Sequence, residues 1–220
     1  MFCMAPDTGL RLEPWDERGP EFERRANTPD MTAYLGGPES DEAIVARHQR
    51  ILDNAAGGTG RMFLILVPGA ADPVGSVGYW DKLWRDDTVY EMGWKVLPAF
   101  QRRGLAVAAT VAAIALAGAD GRRKWAHAYP KVDNAPSNAV CRKAGFELLG
   151  EVDFEYPKGN PIVCHDWRYD LTSMSRSASG AASRAASGVV SRSASGAASG
   201  VVSGAESGVV SGSGSTSSRA

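Results

Sequence analysis

The chain has 220 residues and almost balanced charge, 24 Lys and Arg against 25 Asp and Glu. Residues 172–220 hold no aromatic, Ile or Leu side chain and are mostly Ser, Gly and Ala, so they lack the apolar surface that would offset chain entropy. The expected organisation is one domain over residues 1–171 and a disordered, low-complexity tail over 172–220.

The tail's four arginines and single glutamate leave 20 basic and 24 acidic residues in the domain, a mildly acidic balance that argues against general nucleic-acid binding. Cys3, Cys141 and Cys164 have no metal-ligand spacing, so reduced thiols, no metal and a cytoplasmic setting are expected. The longest apolar run, Leu105–Ala117, is mostly alanine and falls short of the roughly 20 residues of a membrane span.

In chain order, Leu10–Glu13 alternates as a first strand. Residues 17–35 read as an irregular helical region broken by Pro29 and then by Gly36-Gly37-Pro38. Ser40 is an N-cap candidate for a helix to Asp53, with Ile44, Val45, His48, Ile51 and Leu52 on one face and His48 as a packed core histidine. Met62–Val67, Val74–Trp80 and Val89–Val96, joined by a hairpin-like loop over Pro68–Pro73 and a turn over Trp84–Asp87, predict an antiparallel meander. Beyond it the pattern alternates: a helix over Gly104–Ala119, a strand over Lys124–Tyr129 and a helix over Ser137–Ala144 ended by Gly145. Strands over Phe146–Tyr156 and Val163–Leu171 follow, around a Pro157–Pro161 loop. That alternation predicts strands added parallel to the meander, in a mixed sheet of about seven strands. In the tail, Ser177–Ser183 recurs at 193–199 and Ser-Gly-Val-Val-Ser occurs three times, with no face to bury.

One turn carries chemistry. Gln101-Arg102-Arg103-Gly104-Leu105-Ala106 follows the strand-like Glu91–Val96 and opens the alanine-rich helix. Two arginines, a glycine and unpaired helix-end N–H groups suit a phosphate or pyrophosphate. A solubilising strand-to-helix corner would use the same residues. There is no GxxxxGK[ST] and no GxGxxG in a βαβ unit, which excludes the P-loop and the Rossmann fingerprint.

About thirty residues later stands Asn134-Ala-Pro-Ser137-Asn-Ala-Val-Cys-Arg-Lys-Ala-Gly145-Phe146. Together with VLPAFQRRGLA at 96–106, this resembles the GNAT superfamily of acetyl-CoA-dependent N-acetyltransferases, most of all the ribosomal-protein N-terminal acetyltransferase branch. The resemblance implies a three-layer α/β (α+β mixed) fold. Its mostly antiparallel sheet would be splayed at strands 4 and 5, with helices on both faces. It implies that Gln101, Arg102, Arg103, Gly104, Leu105 and Ala106 cradle the coenzyme A pyrophosphate, with Ala106 where many members have a second glycine. It places Val96 at a bulge of strand 4, its N–H facing the acetyl carbonyl. It places Asn134 beside the pantetheine arm.

The implied reaction is direct attack of a primary amine on the thioester, which needs a base for the ammonium proton and favours an acid at the leaving thiolate. Cys141 stands where many members carry a tyrosine acid. Ser137 therefore has two readings, helix cap or acid. Glu91, five residues before Val96, is the base candidate, or a strand-end charge. His127, Tyr129 and His165 are further candidates for the acceptor cleft. Glu147, Glu151, Asp153, Glu155 and Asp166 could attract a cationic amine, or be solvated edge charges; Trp80, Trp84, Trp94 and Tyr156 could wall a cleft, or be core. The expected partners are acetyl-CoA and an amine acceptor, with no nucleic acid and no membrane, in a monomer or homodimer. A catalytically degenerate domain that senses acyl-CoA is the alternative.

Overall fold

The computed structural model describes residues 9–156 and 159–173. Arg11–Pro14 forms strand β1, followed by helix α1 (Gly19–Ala26) and the single turn α2 (Pro29–Thr32). α1 carries Pro20 as its second residue and α2 starts at Pro29; in the first turn a proline's missing N–H has no helical partner to lose and its ring presets a helical φ. Helix α3 (Asp41–Ala56) is capped by Ser40, whose side chain accepts from the Ala43 N–H. Strands β2 (Gly60–Leu66), β3 (Gly75–Trp84) and β4 (Asp87–Val96) then form the expected meander.

Strand β3 runs four residues beyond the expected Trp80, because its hairpin turns on Arg85-Asp86. Both residues adopt positive φ, 48° and 66°, the twist that a two-residue hairpin requires. Arg-Asp lacks the usual Asn-Gly or Asp-Gly signature, but the turn falls where one is expected, over Trp84–Asp87.

After a short 3-10 turn at Pro98–Phe100 come α4 (Leu105–Asp120), β5 (Trp125–Ala128), α5 (Ala135–Ala144), β6 (Glu147–Glu155) and β7 (Pro161–Asp170). The seven strands make one sheet in the order β1-β2-β3-β4-β5-β7-β6, with helices against it. Among the described strands β4–β5 is the one parallel pair; β7 pairs antiparallel with β5, and β6 antiparallel with β7. The expectation that the second half adds several parallel strands is therefore corrected. The Tyr156 N–H donates to the Asn160 carbonyl at 3.0 Å and closes β6 and β7 as a hairpin, which forces them antiparallel.

A second correction concerns strand 4. The β3–β4 register is unbroken from Gly75↔Val96 to Trp84↔Asp87, so Val96 sits on no bulge. The splay has another cause. β5 pairs with β4 only at Tyr90↔Ala126 and Glu91↔His127, after which the two strands part.

Alternation along β4 sends Tyr90, Met92, Trp94 and Val96 toward α4, and Lys95 toward Glu23 of α1. On the α4 face, Leu105, Ala109, Ala113 and Ala117 recur at every fourth position and let the helix lie close to the sheet. The other face is a smaller core of Trp15, Phe22, Ala26 and Leu64. His48 Nδ1 accepts from Trp15 Nε1 at 3.0 Å, a packed histidine as read from the sequence. Val45, assigned to the buried face of α3, is 49% exposed.

Candidate active site

Where β4 and β5 part, a cleft of ≈ 720 Å³ opens beside α4 and α5. β4 contributes Trp94, Lys95 and Val96; the following turn contributes Gln101, Arg102 and Gly104; α4 contributes Leu105, Ala106 and Val107. Asn134, Ser137 and Lys143 line it from α5, and Met31, Tyr34 and Leu35 from α2 and the residues after it.

The turn is built for close backbone approach. Arg102 and Gly104 both have positive φ, 62° and 80°, and Gly104 is the N-cap of α4. Glycine has no side chain to cap with, so the first amides of α4 keep no side-chain acceptor. A Cβ placed on Gly104 would meet nothing within 4 Å, so the space over its backbone is open. Gln101 Nε2 donates to the Val96 carbonyl at 2.9 Å and pins the turn to the end of β4. The two arginines differ. Arg103 is held back, donating to the Ala99 carbonyl at 3.0 Å with its guanidinium 5.2 Å from the Phe100 ring centre. Arg102 lines the cleft and forms no ion pair among the described residues.

At α5 the cap is Asn134. Its Oδ1 accepts from the Ser137 N–H at 3.1 Å, and the helix starts at Ala135, two residues earlier than expected. Ser137 is thus no cap: it sits in the first turn and lines the cleft. The residue that sequence reasoning passed over is Asn138. Its Nδ2 donates to the Lys131 and Asn134 carbonyls, both at 2.9 Å, and its Oδ1 accepts from Trp167 Nε1 at 2.9 Å and contacts His165 Nδ1 at 2.7 Å. One buried amide therefore ties the start of α5 to β7. Asn138 stands within the quoted Asn-Pro-Ser-Asn run, but its partners on β7 are distant in sequence. Lys143, a second cation on the cleft, was likewise not singled out.

The opposite face of the split is dense with paired side chains. Glu91 does not line the cleft; its Oε2 accepts from Lys82 Nζ at 2.9 Å. His127 is buried, with Nδ1 2.6 Å from Asp166 Oδ1, and Trp84 Nε1 donates to Asp166 Oδ2 at 3.1 Å. Asp166 is thus a buried partner and not part of an acidic surface. Glu147, Glu151, Asp153 and Glu155 are exposed along β6, with Glu147 paired to Arg168. Tyr129 packs between Trp84 and Phe154, at ring distances of 4.7 and 5.1 Å, and burial pushes its hydroxyl pKa well up. His165 is turned to Asn138, with Nε2 3.9 Å from Glu151. Cys141 is buried in the α4-side core, and desolvation pushes its thiol up to about 12, the small packed residue of the simpler reading.

Residues 10–147 match the family model described as the acetyltransferase (GNAT) domain. The chain belongs to the GNAT acetyltransferases. Solved structures share the fold of this GNAT chain at low identity. An acetyltransferase from Salmonella typhimurium, which modifies the N-terminal serine of ribosomal protein L7/L12, is 20% identical with TM-score 0.61, over 74% of this chain and 96% of that one. The aminoglycoside acetyltransferase AAC(6')-Ib in complex with coenzyme A is 17% identical with TM-score 0.61, over 76% and 98%. The microcin C7 self-immunity acetyltransferase MccE, in complex with acetyl-CoA and AMP, is 16% identical with TM-score 0.61, over 76% and 98%. No curated protein sequence matches the chain. Among the described residues no helix is long and apolar enough to cross a membrane.

Proposed function

We propose that this GNAT enzyme moves an acetyl group from acetyl-CoA to a primary amine by direct attack on the thioester. The observation that carries the reading is the uncapped start of α4, with Gly104 in the left-handed region, open space over it and Arg102 beside it on the cleft. Orphan amides, the positive helix end and a free guanidinium are what a pyrophosphate needs. Gln101 keeps that turn in register with β4, and Leu105 and Ala106 offer amides without bulk. Arg103 braces the turn from behind. Lys143 adds charge at the cleft wall.

In this reading the pantetheine arm lies along the unpaired edge of β4 beside Asn134. The Val96 N–H polarises the acetyl carbonyl, and no bulge is needed because β5 has already turned away. Glu91, on the far face of the split and five residues along β4 from Val96, draws the ammonium proton away through a chain of waters. Ser137, in the first turn of α5, returns a proton to the departing thiolate. The neighbours that act on a ribosomal protein N-terminus or on aminoglycosides make both acceptor classes worth assaying. A thiol-release screen of alkylamines, polyamines, aminoglycosides, amino acids and N-terminal peptides tests the reading. Thiol release matched by acetylated product supports it. Tight cofactor binding without release across the whole panel would favour the acyl-CoA sensor instead.

A further inference from the structure

The segment between α1 and α3 is a built loop. Asn27 closes its neck: its Nδ2 donates to the Glu39 carbonyl at 2.8 Å, and its Oδ1 accepts from the Glu39 N–H at 2.9 Å. Within the loop the Thr28 hydroxyl accepts from the Met31 N–H, and the Thr32 carbonyl accepts from the N–H groups of Leu35 and Gly37 at 2.8 and 3.1 Å. Gly36 and Gly37 turn the chain back at φ 92° and 98°. The Tyr34 hydroxyl lies 3.5 Å from the Asp133 carbonyl, next to Asn134. A loop so fixed presents Met31, Tyr34 and Leu35 to the cleft, although Tyr34 stays 36% and Leu35 38% exposed. Large apolar side chains held open to a cleft mark a surface for an apolar ligand.

The end of β4 fixes where that ligand sits. The Leu97 N–H donates to the Val74 carbonyl at 2.9 Å, so in the alternating antiparallel ladder the N–H and carbonyl of Val96 point the other way, into the split. Gln101 Nε2 donates to that carbonyl at 2.9 Å and lies 3.5 Å from Met31 Sδ. Met31 and the Val96 backbone thus meet at one side chain. Trp94 and Phe100 line the same cleft. Of the charged residues there, Lys95 is turned to Glu23, Asp30 is exposed in the first turn of α2, and Arg102 belongs to the phosphate turn. Beside the Val96 N–H the cleft wall is therefore apolar.

We propose that Met31, Tyr34, Leu35, Trp94 and Phe100 form an acyl-chain subsite, and that the donors of this enzyme extend from acetyl-CoA to short linear acyl-CoA thioesters such as butyryl-CoA. The inference rests on the reading of the cleft as a coenzyme A site with the thioester carbonyl at the Val96 N–H. An acyl chain leaves the carbonyl carbon on the side away from sulfur, so a chain anchored at Val96 runs on toward Met31. The occupant is the donor's chain and not the acceptor amine, because the apolar wall begins at the residue against Gln101, which itself grips Val96. Methionine, unbranched and flexible, suits chains of differing length. Transfer is balanced as for acetyl: the C–N bond forms and the C–S bond breaks. Of the two protons the ammonium loses, one goes to the thiolate and one to solvent.

The test titrates coenzyme A, acetyl-CoA and butyryl-CoA into the full chain by calorimetry, with no acceptor present. Each fully buried methylene is worth about fourfold in affinity, so in an open cleft butyryl-CoA should bind about tenfold more tightly than acetyl-CoA. Met31→Ala and Leu35→Ala should each lower that ratio to about threefold or less. The ratio is taken within one variant, so a general loss of folded protein does not move it. Equal or weaker binding of butyryl-CoA would overturn the acyl subsite and leave the N-acetyltransferase reading standing. A preference kept in full by both variants would put the chain elsewhere and overturn it too. No binding of any of the three compounds would reject both readings.

Discussion

The two sides of the β4–β5 split are made in opposite ways. On the cleft side the recognition surface is largely backbone: a glycine cap, an uncapped helix start, small side chains and an unpaired strand edge. On the far side it is side chains committed to one another: Lys82 with Glu91, and Asp166 with both His127 and Trp84. The contrast separates two tasks. In the proposed reading, backbone amides bind a group common to every turnover, whereas the network of pairs bears on the amine and its proton. Damage on the first side should cost binding, and damage on the second should cost rate.

The largest effect belongs to Gly104→Asp. A left-handed φ costs a β-carbon-bearing residue about 1–2 kcal/mol, and a carboxylate would repel phosphate at the helix start. Acetyl-CoA affinity by calorimetry should fall about 100-fold, and a change of under twofold would remove the turn from the binding site. Next, Glu91→Gln should lower kcat about 100-fold. Ser137→Ala should lower kcat about tenfold, less than a full general acid contributes, because water can replace a hydroxyl. A normal rate would leave Ser137 as a first-turn residue only. Asn138→Ala strips a buried donor–acceptor hub and should cost about 1–3 kcal/mol in denaturant unfolding, together with weaker cofactor binding. Lost stability with intact affinity would confine Asn138 to the core. The smallest effect is expected from removing residues 174–220, which should leave affinity and rate unchanged if the domain is self-contained.

The same contrast explains what could be read in advance. The cleft side is contiguous in sequence: Val96 to Ala106 and Asn134 to Phe146 carry their own geometry through a positive-φ glycine, a proline and a capping asparagine. Its residues were nameable, although the cap moved from Ser137 to Asn134, Arg103 proved to brace the turn, and β4 carried no bulge. The far side depends on strand order. His127 meets Asp166 only because β7 inserts between β5 and β6, and alternating helices and strands gave no hint that β7 would return antiparallel. Lys82 meets Glu91 only because β3 runs past Trp80 to a turn without glycine. The structure of the repetitive tail expected at 172–220 lies outside the described residues from 174 onward.

The separation of binding from chemistry is tested most directly by calorimetric titration of acetyl-CoA into Glu91→Gln beside Gly104→Asp. Glu91→Gln should bind acetyl-CoA as the unaltered chain does, while Gly104→Asp should lose most of its affinity. A loss of affinity in Glu91→Gln as large as that in Gly104→Asp would contradict it.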